Sequence, residues 1–127
     1  MKAGNDLDCL IAEKIFEWKL VSEEVESGMP HHELYRTPSG RGFYHYQVPK
    51  FSSEIDAAWR VVEKFRRGFE GKASAYIEVV VTDLPDYQDT YCKIVAPDRK
   101  EVVMWAHEAP LAICLAALKA VGVEVPE

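Results

Sequence analysis

The sequence predicts a three-layer α/β/α sandwich, with a central antiparallel sheet of three to four strands and three main helices. Three observations predict it. Three segments repeat their apolar residues at helical spacing. Three consecutive β-rich segments lie between the second and third of these, joined by connections too short for parallel crossovers. Those strands alternate so little between apolar and polar that both sheet faces read as covered, and helices on both sides are the simplest cover.

The first helix is expected over Leu7 to Trp18. Leu7, Leu10, Ile11, Ile15 and Trp18 fall on one stripe, and Asp6, Asp8, Glu13, Lys14 and Glu17 take the other face. Asn5 is placed to cap its first turn. The second helix is expected from Ser53 to Phe69, with Ile55, Ala58, Trp59, Val62, Phe65 and Phe69 as its stripe. Ser53 with Asp56 resembles a capping box, and Gly68 and Gly71 offer end signals. Its polar face carries Arg60, Glu63, Lys64, Arg66 and Arg67.

Three strands follow: Ala75 to Thr82, Tyr91 to Ala96, and Glu101 to Ala106, rich in β-branched and aromatic residues. Asp83 to Asp86 and Pro97-Asp98-Arg99 supply the turns, proline pre-setting φ in the second. The third helix starts near Ala109-Pro110, where proline is tolerated, and Gly122 ends it. Leu111, Cys114, Leu115, Leu118 and Val121 form its stripe, and Ala112, Ala116, Ala117 and Ala120 leave almost no polar surface. A helix this apolar all round is deeply buried or covered by another subunit. Glu23 to Pro49 is less regular, punctuated by Gly28-Met29-Pro30 and Pro38-Ser39-Gly40. Within it Gly42 to Gln47 reads as a short strand at the sheet edge.

The totals limit the function classes. At 127 residues, 48% hydrophobic and 28% charged, the chain reads as a single ordinary globular domain. A formal net charge of -6 argues against a nucleic-acid binder, which needs a concentrated positive field. No stretch approaches the ~18 apolar residues of a membrane span, and the opening MKAGNDLDC lacks a signal-peptide pattern, so a cytoplasmic location is expected. Cys9, Cys92 and Cys114 are odd in number and widely spaced, with no C-x-x-C pair; reduced core thiols are expected.

No constellation of catalytic residues stands out. His31, His32, His45 and His107 do not form a ligand pattern, and no metal or cofactor is expected. Cys114 with His107 lacks the polar setting that an active thiolate needs. G-x-S-x-G and the phosphate-cradling glycine motifs are absent; Gly40-Arg41-Gly42 is a lone glycine pair.

Residues 7–18 (LDCLIAEKIFEW), 48–65 (VPKFSSEIDAAWRVVEKF) and 106–122 (AHEAPLAICLAALKAVG) together resemble the phage ABA sandwich domain family. The resemblance implies α/β/α layering and a phage or prophage origin, and carries no particular activity with it. Helix–strand–strand–strand–helix is also the order of a double-stranded-RNA-binding domain, but no lysine stands at the start of the last helix, which reads His107-Glu108-Ala109-Pro110-Leu111.

The expected function is therefore a non-enzymatic accessory protein that acts by binding or by self-association, most simply as a homodimer, with Leu115 and Leu118 as interface candidates. The alternative is sequestration of a nucleotide-like small molecule. Arg36, Arg41, Tyr44 and Tyr46 are the candidate ligand residues, since arginine beside aromatics can bind phosphate and stack on a base.

Overall fold

A computed structural model describes residues 2–23, 32–68, 75–81, 90–96 and 100–124. Over these residues it is an α+β protein with three helices and two separate three-stranded antiparallel sheets. The helices are α1 (Asn5–Lys14), α2 (Ile55–Arg66) and α3 (Ala109–Ala120). The smaller sheet has the order β1 (Lys19–Glu23), β2 (His32–Arg36), β3 (Gly42–Tyr44); the larger has β4 (Tyr76–Val81), β5 (Thr90–Val95), β6 (Glu101–Ala106). The expected turns at Asp83 to Asp86 and Pro97 to Arg99, and Phe69 and Gly71, lie outside the described residues.

The single central sheet is corrected on two points. Gly42 to Tyr44 does not extend the meander at its edge; it pairs with β2, and β2 pairs with β1, two strands not expected from the sequence. Its continuation, His45–Gln47, is a 3-10 turn. The second correction is the covering of both faces. Helix α3 lies across β5 and β6, and α2 packs on α3 and against β4. They cover the face made by Ile77, Val79, Cys92, Ile94, Val102, Met104 and Ala106, all part of the core or packed on it. The opposite face, with Tyr76, Val80, Tyr91, Val95, Val103 and Trp105, takes no part in that core.

Burial on all sides accounts for the composition of α3. The sheet lies on one side of it and α1 and α2 pack elsewhere on its surface. Every residue from Ala112 to Leu118 is buried, and the alanines let neighbouring backbones approach closely. Pro110 sits in the first turn and Gly122, at φ 83°, takes the left-handed conformation that ends the helix.

Helix α2 begins at Ile55 and makes no side-chain cap, so the Ser53 capping box does not form. Its buried face is Ala58, Val61, Val62 and Phe65; Ile55 and Trp59 lie at the edge of that arc and are half exposed. Helix α1 is shorter than its apolar stripe. It stops at Lys14, Glu17 turns the chain at φ 61°, and Trp18 leaves the helix to stack on Phe43 of β3 at 4.8 Å. Asn5 is the first helical residue, not its cap; its amide donates instead to the His45 carbonyl at 2.7 Å. Asp8, expected on the polar face, is buried. Its carboxylate accepts from the Ser52 amide at 2.8 Å and from the Ser52 hydroxyl at 2.6 Å, and the Gly4 amide donates to that same hydroxyl oxygen at 2.9 Å. This clip ties α1 to the turn before α2.

Candidate functional site

Three surfaces have chemistry to offer: a cleft beside α1, the aromatic groups around the smaller sheet, and the open face of the larger sheet.

The cleft has a volume of about 330 Å³ and is lined by Asn5, Asp6, Cys9, Leu10, Glu13, Tyr35 and His45. Five of these form one side of α1; Tyr35 comes from β2 and His45 from the 3-10 turn. Alternation along β2 turns Tyr35 toward α1, where it joins the core with only 7% of its surface exposed. Cys9 and Glu13 are the ionisable groups beside it. Burial, and then the neighbouring Cys9 and Glu13, raise the Tyr35 phenol above its ordinary range, so it stays neutral. The Cys9 thiol is also raised, chiefly by burial and against the opposing effect of Tyr35. It makes weak contacts with Asn5 Oδ1 at 3.8 Å and the His45 carbonyl at 3.9 Å.

The other two thiols are farther from reactivity. Burial pushes Cys92 up to about 12 and raises Cys114 as well, and neither is exposed. None of the three is held as a thiolate at neutral pH, the form in which cysteine attacks or binds metal. Among the described residues no group of three histidines, cysteines or carboxylates converges as a metal site.

The four ligand candidates divide between two places. Residues directly opposite on paired strands share a face, so Arg36, Leu34 and Tyr44 project together, and Tyr35 and Phe43 project the other way. Tyr46 stacks on Tyr44 at 5.7 Å, and Tyr46 is the more exposed. Arg41 belongs to the second group: its guanidinium sits 5.0 Å over the Phe43 ring, which also stacks on Trp18. Arg36 donates to the Gly40 carbonyl at 3.1 Å across the hairpin. Arg36, Tyr44 and Tyr46 are therefore brought together, and Arg41 is not among them. The interface candidates Leu115 and Leu118 are buried within the single chain.

The open face of the larger sheet was not anticipated. It carries three rows across the strands: Val80–Tyr91–Trp105, Glu78–Lys93–Val103 and Tyr76–Val95–Glu101. Tyr91 and Trp105 pack at 4.8 Å. The polar groups bind one another: Tyr91 and Tyr76 donate to Glu78 at 3.2 and 3.4 Å, and Lys93 pairs with Glu101 at 3.3 Å. The signal for this face was in the strands, as Tyr76, Glu78 and Val80 against Ile77 and Val79, but the apolar valines hid the alternation.

Comparison with known proteins places the chain. The model of the phage ABA sandwich domain matches residues 9–118. A 2.0 Å crystal structure of a phage protein from Bacillus cereus ATCC 14579 is similar over 99% of this chain and 93% of that one, at 27% identity and a TM-score of 0.66. No curated protein matches significantly. No described helix is long and apolar enough to cross a membrane.

Proposed function

The chain belongs to the phage ABA sandwich domain family, and on that premise we propose that it is a non-enzymatic phage accessory protein that works by binding, with a second copy of itself as the partner on the open face of the β4–β6 sheet. The observation that supports this is the closed polar set on an otherwise apolar face. Glu78 is held by two tyrosine hydroxyls and Lys93 by Glu101. Covering the face with a like surface therefore leaves each of these polar groups the partner it already has, whereas a partner of opposite charge would find them already engaged.

Area sets the strength of such a dimer. Three strands about 4.8 Å apart and six residues of about 3.3 Å rise present roughly 300 Å² per copy. Two copies bury roughly 600 Å², below the ~1,200–2,000 Å² of stable complexes, so the dimer is weak and depends on concentration. Sedimentation equilibrium tests it. The mass should climb from one chain toward two as concentration rises from micromolar to millimolar, and Val103→Glu with Trp105→Glu should hold it at one. A mass of one chain throughout the range would sink the proposal.

The second reading is a nucleotide-like ligand on Tyr44 and Tyr46 with Arg36 beside them. Its support is the exposed stacked pair of Tyr44 and Tyr46, with Tyr44 on the same face of the smaller sheet as Arg36. A thermal-shift panel of cyclic nucleotides and ADP-ribose derivatives addresses it, since a ligand at 100 times its Kd adds about 2.7 kcal/mol of stability. A flat panel would remove it.

A further inference from the structure

We propose that the cleft beside α1 is a binding site for a linear alkyl diammonium ion, independent of the sheet face. The argument begins with the spacing of the lining. Asp6 and Glu13 stand seven residues apart on α1, close to two full turns, so they fall nearly in line and about 10 Å apart along the axis. Leu10 lies between them on the same side of the helix. The order along the cleft is therefore carboxylate, apolar patch, carboxylate. An alkyl chain with an ammonium at each end has the matching order.

The remaining lining agrees. No lysine or arginine lines the cleft. Neither carboxylate forms a salt bridge among the described residues. Tyr35 of β2, almost fully buried, lines the cleft and gives it an apolar wall with its ring. The His45 carbonyl and Asn5 Oδ1 add neutral acceptors at the Asp6 end. An ammonium is all donor, so a lining of acceptors suits it, and a formal charge of -6 over the chain favours its approach. An anion would face two carboxylates and find no cation.

Calorimetry of the full chain in about 0.15 M salt, where long-range attraction is screened, tests the proposal. The probes are 1,6-diaminohexane and, as the single-charge control, hexylamine. The diamine should bind one to one and at least tenfold more tightly than the monoamine. Asp6→Asn and Glu13→Gln should each bring the diamine down to the monoamine's affinity while leaving the circular dichroism unchanged, since both replacements keep the size of the acid they replace. The remote variant Glu63→Gln, on α2 and outside both the cleft and the sheet face, should leave binding as it is. Equal affinity for the two probes, or an equal loss in Glu63→Gln, would show general attraction to an acidic chain and overturn the site.

Discussion

The two faces of the β4–β6 sheet are both mostly apolar, yet one is core and the other is surface. The inner face sets Ile77, Ile94 and Val102 in one row and Val79, Cys92 and Met104 in the next, under α3. Its Thr90 is buried and hydrogen-bonded or otherwise partnered. The outer face has three aromatics and three valines, but three charged residues stand among them. What separates the faces is the handling of polar groups rather than mean apolarity. The inner face excludes charge; the outer one admits it and binds it internally. Four measurements break or sharpen that contrast.

The largest effect belongs on the covered side. Leu118 is entirely buried in α3, so Leu118→Ala should cost about 2–5 kcal/mol in urea unfolding. A loss below about 1 kcal/mol would mean that α3 does not seal the inner face. Next is Asp8, where the core does admit a charge. Asp8→Ala leaves the buried Ser52 amide without its acceptor and the hydroxyl with only the Gly4 carbonyl at 3.4 Å, and should cost about 2–3 kcal/mol. Asp8→Asn, which keeps an acceptor, should lose less. Equal losses would place the clip's value in packing and not in its hydrogen bonds.

The third measurement uses the thiols. Cys92 and Cys114 titrate higher in the folded chain than the ordinary 9.0. The folded state therefore holds protons that the unfolded state has released. Stability from these groups is complete below pH 9 and falls as the pH climbs from 9 toward 12. For two thiols the loss between pH 9 and 10 is about 2 kcal/mol. Urea midpoints at pH 8, 9 and 10 should show it, and Cys92→Ala should halve the slope. A slope that survives removal of both thiols would assign it to tyrosines such as Tyr35.

The contrast also explains what the sequence made legible. All three helices and the three strands of the larger sheet follow from periodicity and β-branching, because each buries a continuous face. The family resemblance is also legible, in residues 7–18, 48–65 and 106–122. The smaller sheet is not. β1 and β2 are five residues each, and β2 mixes charge with its apolar residues, so neither has a run long enough to stand out. The end of α1 was hidden for a related reason: Trp18 continues the helical stripe in sequence, but it serves the stack on Phe43. Of the ligand candidates, Arg36, Tyr44 and Tyr46 share a region and Arg41 does not, a difference of strand register that spacing alone cannot supply. The diammonium cleft needed Tyr35 and α1 side by side, which is a tertiary fact.

The smallest effect on stability should come from the open face, and it carries the most meaning for function. Trp105 is 41% exposed and packs on Tyr91. Replacing it with alanine removes one aromatic pair worth about 0.5–1.5 kcal/mol and leaves no cavity, since solvent already reaches the site. The expected loss is therefore about 1 kcal/mol, well under that of Leu118→Ala. The same change should lower the concentration-dependent mass, because the ring is the largest apolar group on the face. A core residue would show the reverse order, large in unfolding and silent in association at concentrations where the chain is folded. Measuring both quantities on both variants therefore separates a surface built to be covered from one that is merely apolar. If Trp105→Ala matched Leu118→Ala in unfolding, the outer face would be part of the fold's own core, and the two sides of the sheet would differ in nothing but solvent.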